Sequence, residues 1–448
     1  MRLLTMHTSM KLLLLVPLTL WETTQGFVRL PPSPRLLLST SHAGGRQLLR
    51  TSRTMRMAAE PSDRSRSRRN IIFESSKAVP LSVVGVETAM RLSTPPTAMA
   101  EGDVKVERVV SETDLVAHLA SAPRRSVVVT GSNSGVGFEG AKLLAAAGHR
   151  VVCACRNSEK AQKAADLCNE YAAASTTTGV RAGGEAIGMV CDLADLTSVR
   201  KFAAELKNAR TPLDTLCLNA GLAMNTADTA PQRTRDGFEL TIGTNHLGHF
   251  LLANLLKDAL AKAEKPRVVV TASPVHDPNS GGGNVGSKAT LGDLSGLKAG
   301  PDFSMIDGGV YDADKAYKDS KLCNMLFTAE ASRRFQKLPS GGNAISVNAF
   351  SPGLIPNPQG FFRYQNQAFA NIFNVISGTV GVTETPRFGG ECLAYMAVDE
   401  ALDGVINGWY DTYPAGKHQL AVHAPSIEAQ DLEKQKLLWE LSEKVVGI

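Results

Sequence analysis

The sequence lacks a strong charge of either sign. Its 48 Lys and Arg against 43 Asp and Glu leave a net charge of +5 over 448 residues. That balance makes no case for a nucleic-acid partner, and much of the basic excess sits near the N-terminus. A metal-ligand pattern is missing as well. The seven cysteines, at 153, 155, 168, 191, 217, 323 and 392, have no zinc-type spacing, and Cys153 and Cys155 are too close for the usual pair. Their odd number, mostly inside apolar strand-like runs, reads as free buried thiols in a reducing compartment. No internal repeat is present, and the N-terminal apolar run, residues 12–21, is too short to span a bilayer. What remains is a chain of 43% hydrophobic residues, enough for one large α/β domain plus extra segments.

Residues 1–26 combine a basic start, Arg2 and Lys11, with that short apolar run and a small residue, Gly26. This is the pattern of a signal peptide. Phe27 follows, and then a stretch rich in Ser, Arg and Pro with few acids. The pair resembles the bipartite plastid presequence of algae with secondary plastids. A secreted protein with a disordered leader is the other reading, and the thiol pattern speaks against it. Residues 27–122 are therefore expected to be transit-like presequence and linker, and residues 123–448 the catalytic domain.

The stretch 126–137, SVVVTGSNSGVG, organises the rest. A buried strand at 127–129 runs into a glycine-rich turn and a helix over about 138–147, closed by Gly148. The turn contains Thr130, Gly131, Ser132, Asn133, Gly135, Val136 and Gly137. Glycines at this spacing permit a tight turn, close approach of backbone to a pyrophosphate and close helix–strand packing. The helix start adds free N–H groups and a partial positive charge for phosphates. An ordinary glycine-rich strand–helix turn would look similar in isolation. The second strand, 150–155, ends without the acid that would bind the ribose hydroxyls of NAD; Cys155 and Arg156 stand there, with Lys160 one turn on. A guanidinium matches a 2′-phosphate in a bidentate way, so NADP(H) is expected, with a solvated surface charge as the alternative role for Arg156.

Further strands are expected at 187–190, followed by Asp192; at 213–218, ending in Asn219, Ala220 and Gly221; at 267–272, ending at Ser273; and at 343–350, closed by Ser351-Pro352-Gly353. Helices are expected at 197–206, within 236–260 with Asn245 inside, and around Tyr317 and Lys321. The alternation implies a doubly wound, Rossmann-type parallel sheet with right-handed crossovers. Tyr317 and Lys321 are four residues apart and share a helix face. The nearby ammonium is expected to lower the tyrosine pKa, so that Tyr317 exchanges a proton while a nicotinamide carries hydride.

Thr-Gly-x-x-x-Gly-x-Gly, Asn-Ala-Gly, the serine, Tyr-x-x-x-Lys and Ser-Pro-Gly, in this order, resemble the short-chain dehydrogenase/reductase superfamily from about residue 124 onwards. Residues 244–250 (TNHLGHF), 291–294 (LGDL), 316–325 (AYKDSKLCNM), 360–363 (GFFR) and 439–448 (WELSEKVVGI), with the long insertion 274–314, resemble one branch, light-dependent protochlorophyllide reductase. The resemblance implies NADPH as cofactor, held in part by Asp192, the Asn219 segment, Tyr317 and Lys321, and protochlorophyllide as substrate. It implies a water relay from Asn245 to Lys321, peripheral plastid-membrane association and room for a homo-oligomer. Three positions depart from the branch pattern: Gly221 with Ala223 after Asn-Ala, Leu354 in place of a cysteine, and Ser273 in place of a threonine. The first two motivate an alternative, a dark NADPH-dependent carbonyl reductase. A pigment scaffold without catalysis is a third reading, opposed by the intact Ser273, Tyr317 and Lys321. His246 and His249 read as packing or capping groups. The insertion, with Phe303, Met305 and Ile306 and a Gly281–Gly283 run, is expected to be a lid over the pigment or else a loose surface excursion.

Overall fold

The computed structural model describes residues 105–106, 112–175, 183–209, 212–355, 383–413 and 415–448. The expected leader up to residue 104 and the 360–363 segment lie outside the described residues. The strands among those described are β1 (Lys105–Val106), β2 (Ser126–Thr130), β3 (Arg150–Cys155), β4 (Glu185–Val190), β5 (Thr215–Leu218), β6 (Arg267–Thr271), β7 (Ser346–Phe350), β8 (Trp409–Thr412) and β9 (Leu420–Val422). They form one sheet in the order β1-β9-β8-β7-β6-β5-β2-β3-β4. The seven strands from β8 to β4 are parallel, and β9 and β1 close one edge antiparallel. β2, β5, β6 and β7 are buried along their whole length, as strands covered on both faces must be.

The helices among the described residues are α1 (Glu112–Ser121), α2 (Gly135–Ala146), α3 (Ser158–Ala174), α4 (Leu196–Asn208), the short α5 (Leu240–Ile242), α6 (Gly248–Leu260), α7 (Ser295–Ala299), α8 (Ala313–Arg334), α9 (Pro386–Val398) and α10 (Leu432–Val446). A π-helical turn, Gly243–Leu247, joins α5 to α6. Strand alternation sorts the core into two layers. Val127 and Val129 pack with α1, α2, α3 and α9; Val128, between them, packs with α4, α6, α8 and α10. The expected doubly wound sheet is therefore what the chain forms.

Two expectations change. The domain was expected to start at 123, with a linker before it. Instead α1 lies in the core, with Leu115, Val116 and Leu119 buried. The ring of His149 ties it down: Nε2 donates to the Leu119 carbonyl at 3.0 Å while Nδ1 accepts from the Arg125 N–H at 3.2 Å. The insertion 274–314 is not a loose excursion, and the apolar residues expected to cover a pigment pack into the interior instead. Leu291, Leu294, Leu297, Phe303 and Ile306 belong to the main core, and Phe303 meets the Phe238 ring at 6.4 Å between centroids. Arg233 donates to the carbonyls of Asp302 and Phe303, and Leu291 N–H donates to Glu428. These side chains are in the interior and cannot also cover a ligand.

Candidate active site

The carboxyl ends of the parallel strands converge where the sheet order reverses, with β3 on one side of β2 and β5 on the other. In open α/β sheets this switch point is the binding crevice. After β2 the chain turns through Gly131 (φ 70°) and Gly135 (φ 57°), both in the left-handed region where a side chain is strained. A Cβ on Gly135 would meet nothing within 4 Å, so this backbone is open to a ligand. A Cβ on Gly137 would lie 2.5 Å from Asn219 Nδ2 and 2.6 Å from the Gly131 carbonyl oxygen, so that glycine is required by packing. α2 starts at Gly135, three residues before the expected start, directly against this open backbone.

Thr130 is a clamp. Its Oγ1 accepts from the N–H groups of Asn219 (2.9 Å) and Ala220 (3.0 Å), while Asn219 Nδ2 donates to the Thr130 carbonyl at 3.0 Å. The β2 and β5 turns are thus locked together. Ser132 is turned inward, its hydroxyl donating to the Val129 carbonyl at 3.1 Å. Asn133 is exposed and Val136 half-buried. Arg156 is exposed just beyond β3, and Lys160 lies on the first turn of α3. Asp192, beyond β4, is half-buried and accepts from the Ala194 N–H at 3.1 Å. No acid stands at the end of β3 to repel a 2′-phosphate, so the donor set fits NADP(H). Arg156→Glu is expected to weaken NADPH by about 1.5–3 kcal/mol, roughly tenfold or more, and NADH far less. Calorimetric titration with both nucleotides checks this; equal losses would remove Arg156 from the site.

On α8, Tyr317 is half-buried and hydrogen-bonded to Ser273, which follows β6. The Lys321 ammonium lies 5.6 Å from the Tyr317 ring centre and donates to the Thr271 carbonyl at 3.0 Å. The expected lowering of the Tyr317 pKa by Lys321 is not what the geometry yields. Burial pushes the phenol above its ordinary range, with the Ser273 hydrogen bond opposing it. Burial instead acts on the lysine, pulling Lys321 down to about 8. The site holds a neutral phenol next to a weakened ammonium, an arrangement suited to donating a proton.

Asn245 sits in the π-helical turn and is held on both sides. Its Oδ1 accepts from the Leu222 N–H and its Nδ2 donates to the Leu222 carbonyl, each at 2.9 Å, and Nδ2 also donates to Ser320 Oγ at 3.0 Å. A Cβ on Gly221 would stand 3.5 Å from Asn245 Oδ1 and 3.8 Å from Lys321 Nζ, so both groups face the same bare glycine. Ala223 is buried and Leu354 partly exposed.

His246 packs as expected, among Phe250 and Phe327, with Nε2 at 3.1 Å from Ser442. His249 does more than pack. Its Nδ1 faces the Asn245 carbonyl at 3.1 Å, which can only accept, so Nδ1 carries the proton and Nε2 accepts from Thr130 Oγ1 at 2.9 Å. Burial pulls this imidazole down to about 4 and keeps it neutral. His249 therefore connects the nucleotide turn to the Asn245 turn. Its spacing from His246 in sequence pointed to a shared helix, but the link to Thr130 crosses 119 positions and carries no local signal. Among the described residues no cluster could hold a metal ion, and no helix is long and apolar enough to cross a membrane.

The short chain dehydrogenase family matches residues 125–289. Protochlorophyllide reductase A, chloroplastic, of Arabidopsis thaliana is 39% identical over 337 residues, covering 72% of this chain and 77% of that protein. The chain belongs to the protochlorophyllide reductase family. The pea relative, Protochlorophyllide reductase, chloroplastic, of Pisum sativum, is 37% identical over 366 residues and covers 78% of this chain and 85% of its own. A solved structure of an uncharacterized protein from Mycobacterium paratuberculosis shares the fold, with a TM-score of 0.51 and 28% identity over 73% of this chain and 96% of that one. The matched shares of 72% and 78% of this chain are too long to end at residue 289, and the longer one must include α8.

Proposed function

We propose that this chain reduces protochlorophyllide to chlorophyllide with NADPH, in a step driven by light absorbed by the bound pigment. The observation that carries the reading is the Tyr317–Ser273 pair over Lys321 at the carboxyl end of β6, in a chain of this family. When bound, NADPH would supply the hydride for one carbon of the ring D double bond. Tyr317 delivers the proton to the other carbon from its Oη, which burial keeps protonated until the reaction needs it. Ser273 holds that hydroxyl in place. Lys321 and Asn245, facing each other across Gly221, restore the proton through the relay implied by the resemblance. Arg156 and Lys160 would hold the 2′-phosphate, and the Gly131–Gly137 turn would hold the pyrophosphate.

The chloroplastic names of the relatives support a plastid location. The signal-like residues 1–26, Phe27 and the basic leader support an alga with a secondary plastid. Peripheral association with a plastid membrane and a homo-oligomer belong to this reading as proposals. Ala223 and Leu354 favour keeping the dark carbonyl reductase as a second reading. Incubating the protein with NADPH and protochlorophyllide, and recording absorbance in darkness and after illumination, separates the two. Product formed only after light supports the first; failure to bind the pigment supports the second.

The depressed Lys321 adds a pH signature. Its ammonium is present below about 8 and lost as the pH rises through that value. NADPH affinity of the free enzyme is therefore expected to fall above pH 8, and Lys321→Gln should abolish that break. A flat profile in the unsubstituted protein would exclude Lys321 from cofactor binding.

A further inference from the structure

Beside the Tyr317–Lys321 pair lies a small apolar cluster separate from the main core: Leu222, Met224, Leu240, Ala313 and Tyr311. Its position ties it to the reaction. Ala313 is one turn before Tyr317 on the same face of α8. Leu222 is the residue whose backbone clamps Asn245. Within this cluster the hydroxyl of Tyr311 is shut off from solvent and has no hydrogen-bond partner among the described residues. A second hydroxyl in the same state, that of Thr244, sits one turn after Leu240.

A buried hydroxyl without a partner is costly, and native proteins rarely leave one. The nearby acids do not relieve it. Glu239 already accepts from the N–H groups of Thr241 (2.9 Å) and Ile242 (2.7 Å). Asp312 already accepts from Lys315 N–H and from Ser287 Oγ. Burial above all, with Glu239, Asp228 and Asp312 adding to it, holds the Tyr311 phenol protonated. It can therefore donate, and Asp228 and Asp312 would repel an anionic acceptor. The group that fits is an uncharged carbonyl.

We propose that Tyr311 recognises the substrate, donating a hydrogen bond from its hydroxyl to the conjugated ring ketone of the tetrapyrrole bound beside the Tyr317–Lys321 pair. The inference rests on the function proposed above. Of the acceptors such a pigment carries, the propionate is disfavoured by the neighbouring acids. The conjugated ketone also carries more negative charge on oxygen than an ester carbonyl does. Tyr311 is a specificity-determining contact in this reading and takes no part in proton transfer.

The test is a fluorescence titration in darkness, with NADPH present, of wild type and Tyr311→Phe. The ligands are protochlorophyllide and an analogue whose ring ketone is replaced by a methylene. Tyr311→Phe is expected to weaken protochlorophyllide about threefold to tenfold. It should bind the methylene analogue as wild type does, keep its NADPH affinity, and melt no lower than wild type without ligand. Equal protochlorophyllide affinity in the two proteins would overturn the assignment. So would an equal loss for both ligands, since that would report packing and not a hydrogen bond. If wild type binds no pigment, the proposed function falls and Tyr311 falls with it; if wild type binds and Tyr311→Phe binds equally well, only the role of Tyr311 falls.

Discussion

Tyr317→Phe is expected to bind NADPH and pigment as wild type does and to turn over roughly 10²–10⁴-fold more slowly, the usual range for a lost general acid. The ring keeps its packing on α8, because only the hydroxyl is removed. What disappears is the protonated oxygen that burial maintains and Ser273 orients. Lys321 does not replace it, since its Nζ is engaged with the Thr271 carbonyl. Ser273 is left with a hydroxyl whose other contact is a long one, to the Val275 N–H at 3.5 Å. The measurement is chlorophyllide absorbance after a single light pulse, with pigment binding checked separately in the dark. Wild-type yield and rate from the Phe variant would mean that the proton comes from elsewhere and that this mechanism is wrong at its centre.

Replacing residues 279–305 by a short linker is expected to unfold the domain. A lid could be removed with the rest of the protein intact, but this segment supplies Leu291, Leu294, Leu297 and Phe303 to the main core. Truncating a single buried Leu or Phe typically costs about 2–5 kcal/mol. Four such losses together match or exceed the stability of an ordinary domain, about 5–15 kcal/mol. The deletion would also free Glu428 from Leu291 and Arg233 from Asp302 and Phe303. Circular dichroism melting would show a broad, early or absent transition, with NADPH binding lost as well. A cooperative melt near that of wild type, with NADPH still bound, would show that the insertion is dispensable to the core after all.

The sequence alone determined the order of the six strands β2 to β7, the helices α2, α4, α6 and α8 among them and the parallel sheet, while α3, α9 and the parallel strand β8 were not read from it. Those signals are local. Buried parallel strands are continuous apolar runs, Tyr317 and Lys321 share a helix face because they are four apart, and the Gly131 and Gly135 positions follow from a turn that needs positive φ. β3 was expected at 150–155 and spans Arg150–Cys155. Other features depended on what packs against what. The edge strands β1 and β9 are two and three residues long and acquire meaning only by pairing with each other and with β8. α1 has no strong pattern of its own and is held by His149 and the core beneath it. Phe303 and Ile306 look the same in sequence whether they face a ligand or the interior, and only the folded chain puts them inside. The proton balance of the site is of the same kind. The Tyr317–Lys321 spacing suggested an ammonium stabilising a phenolate, but desolvation is a property of the whole surrounding volume, and here it outweighs that attraction, raising the phenol and lowering the amine.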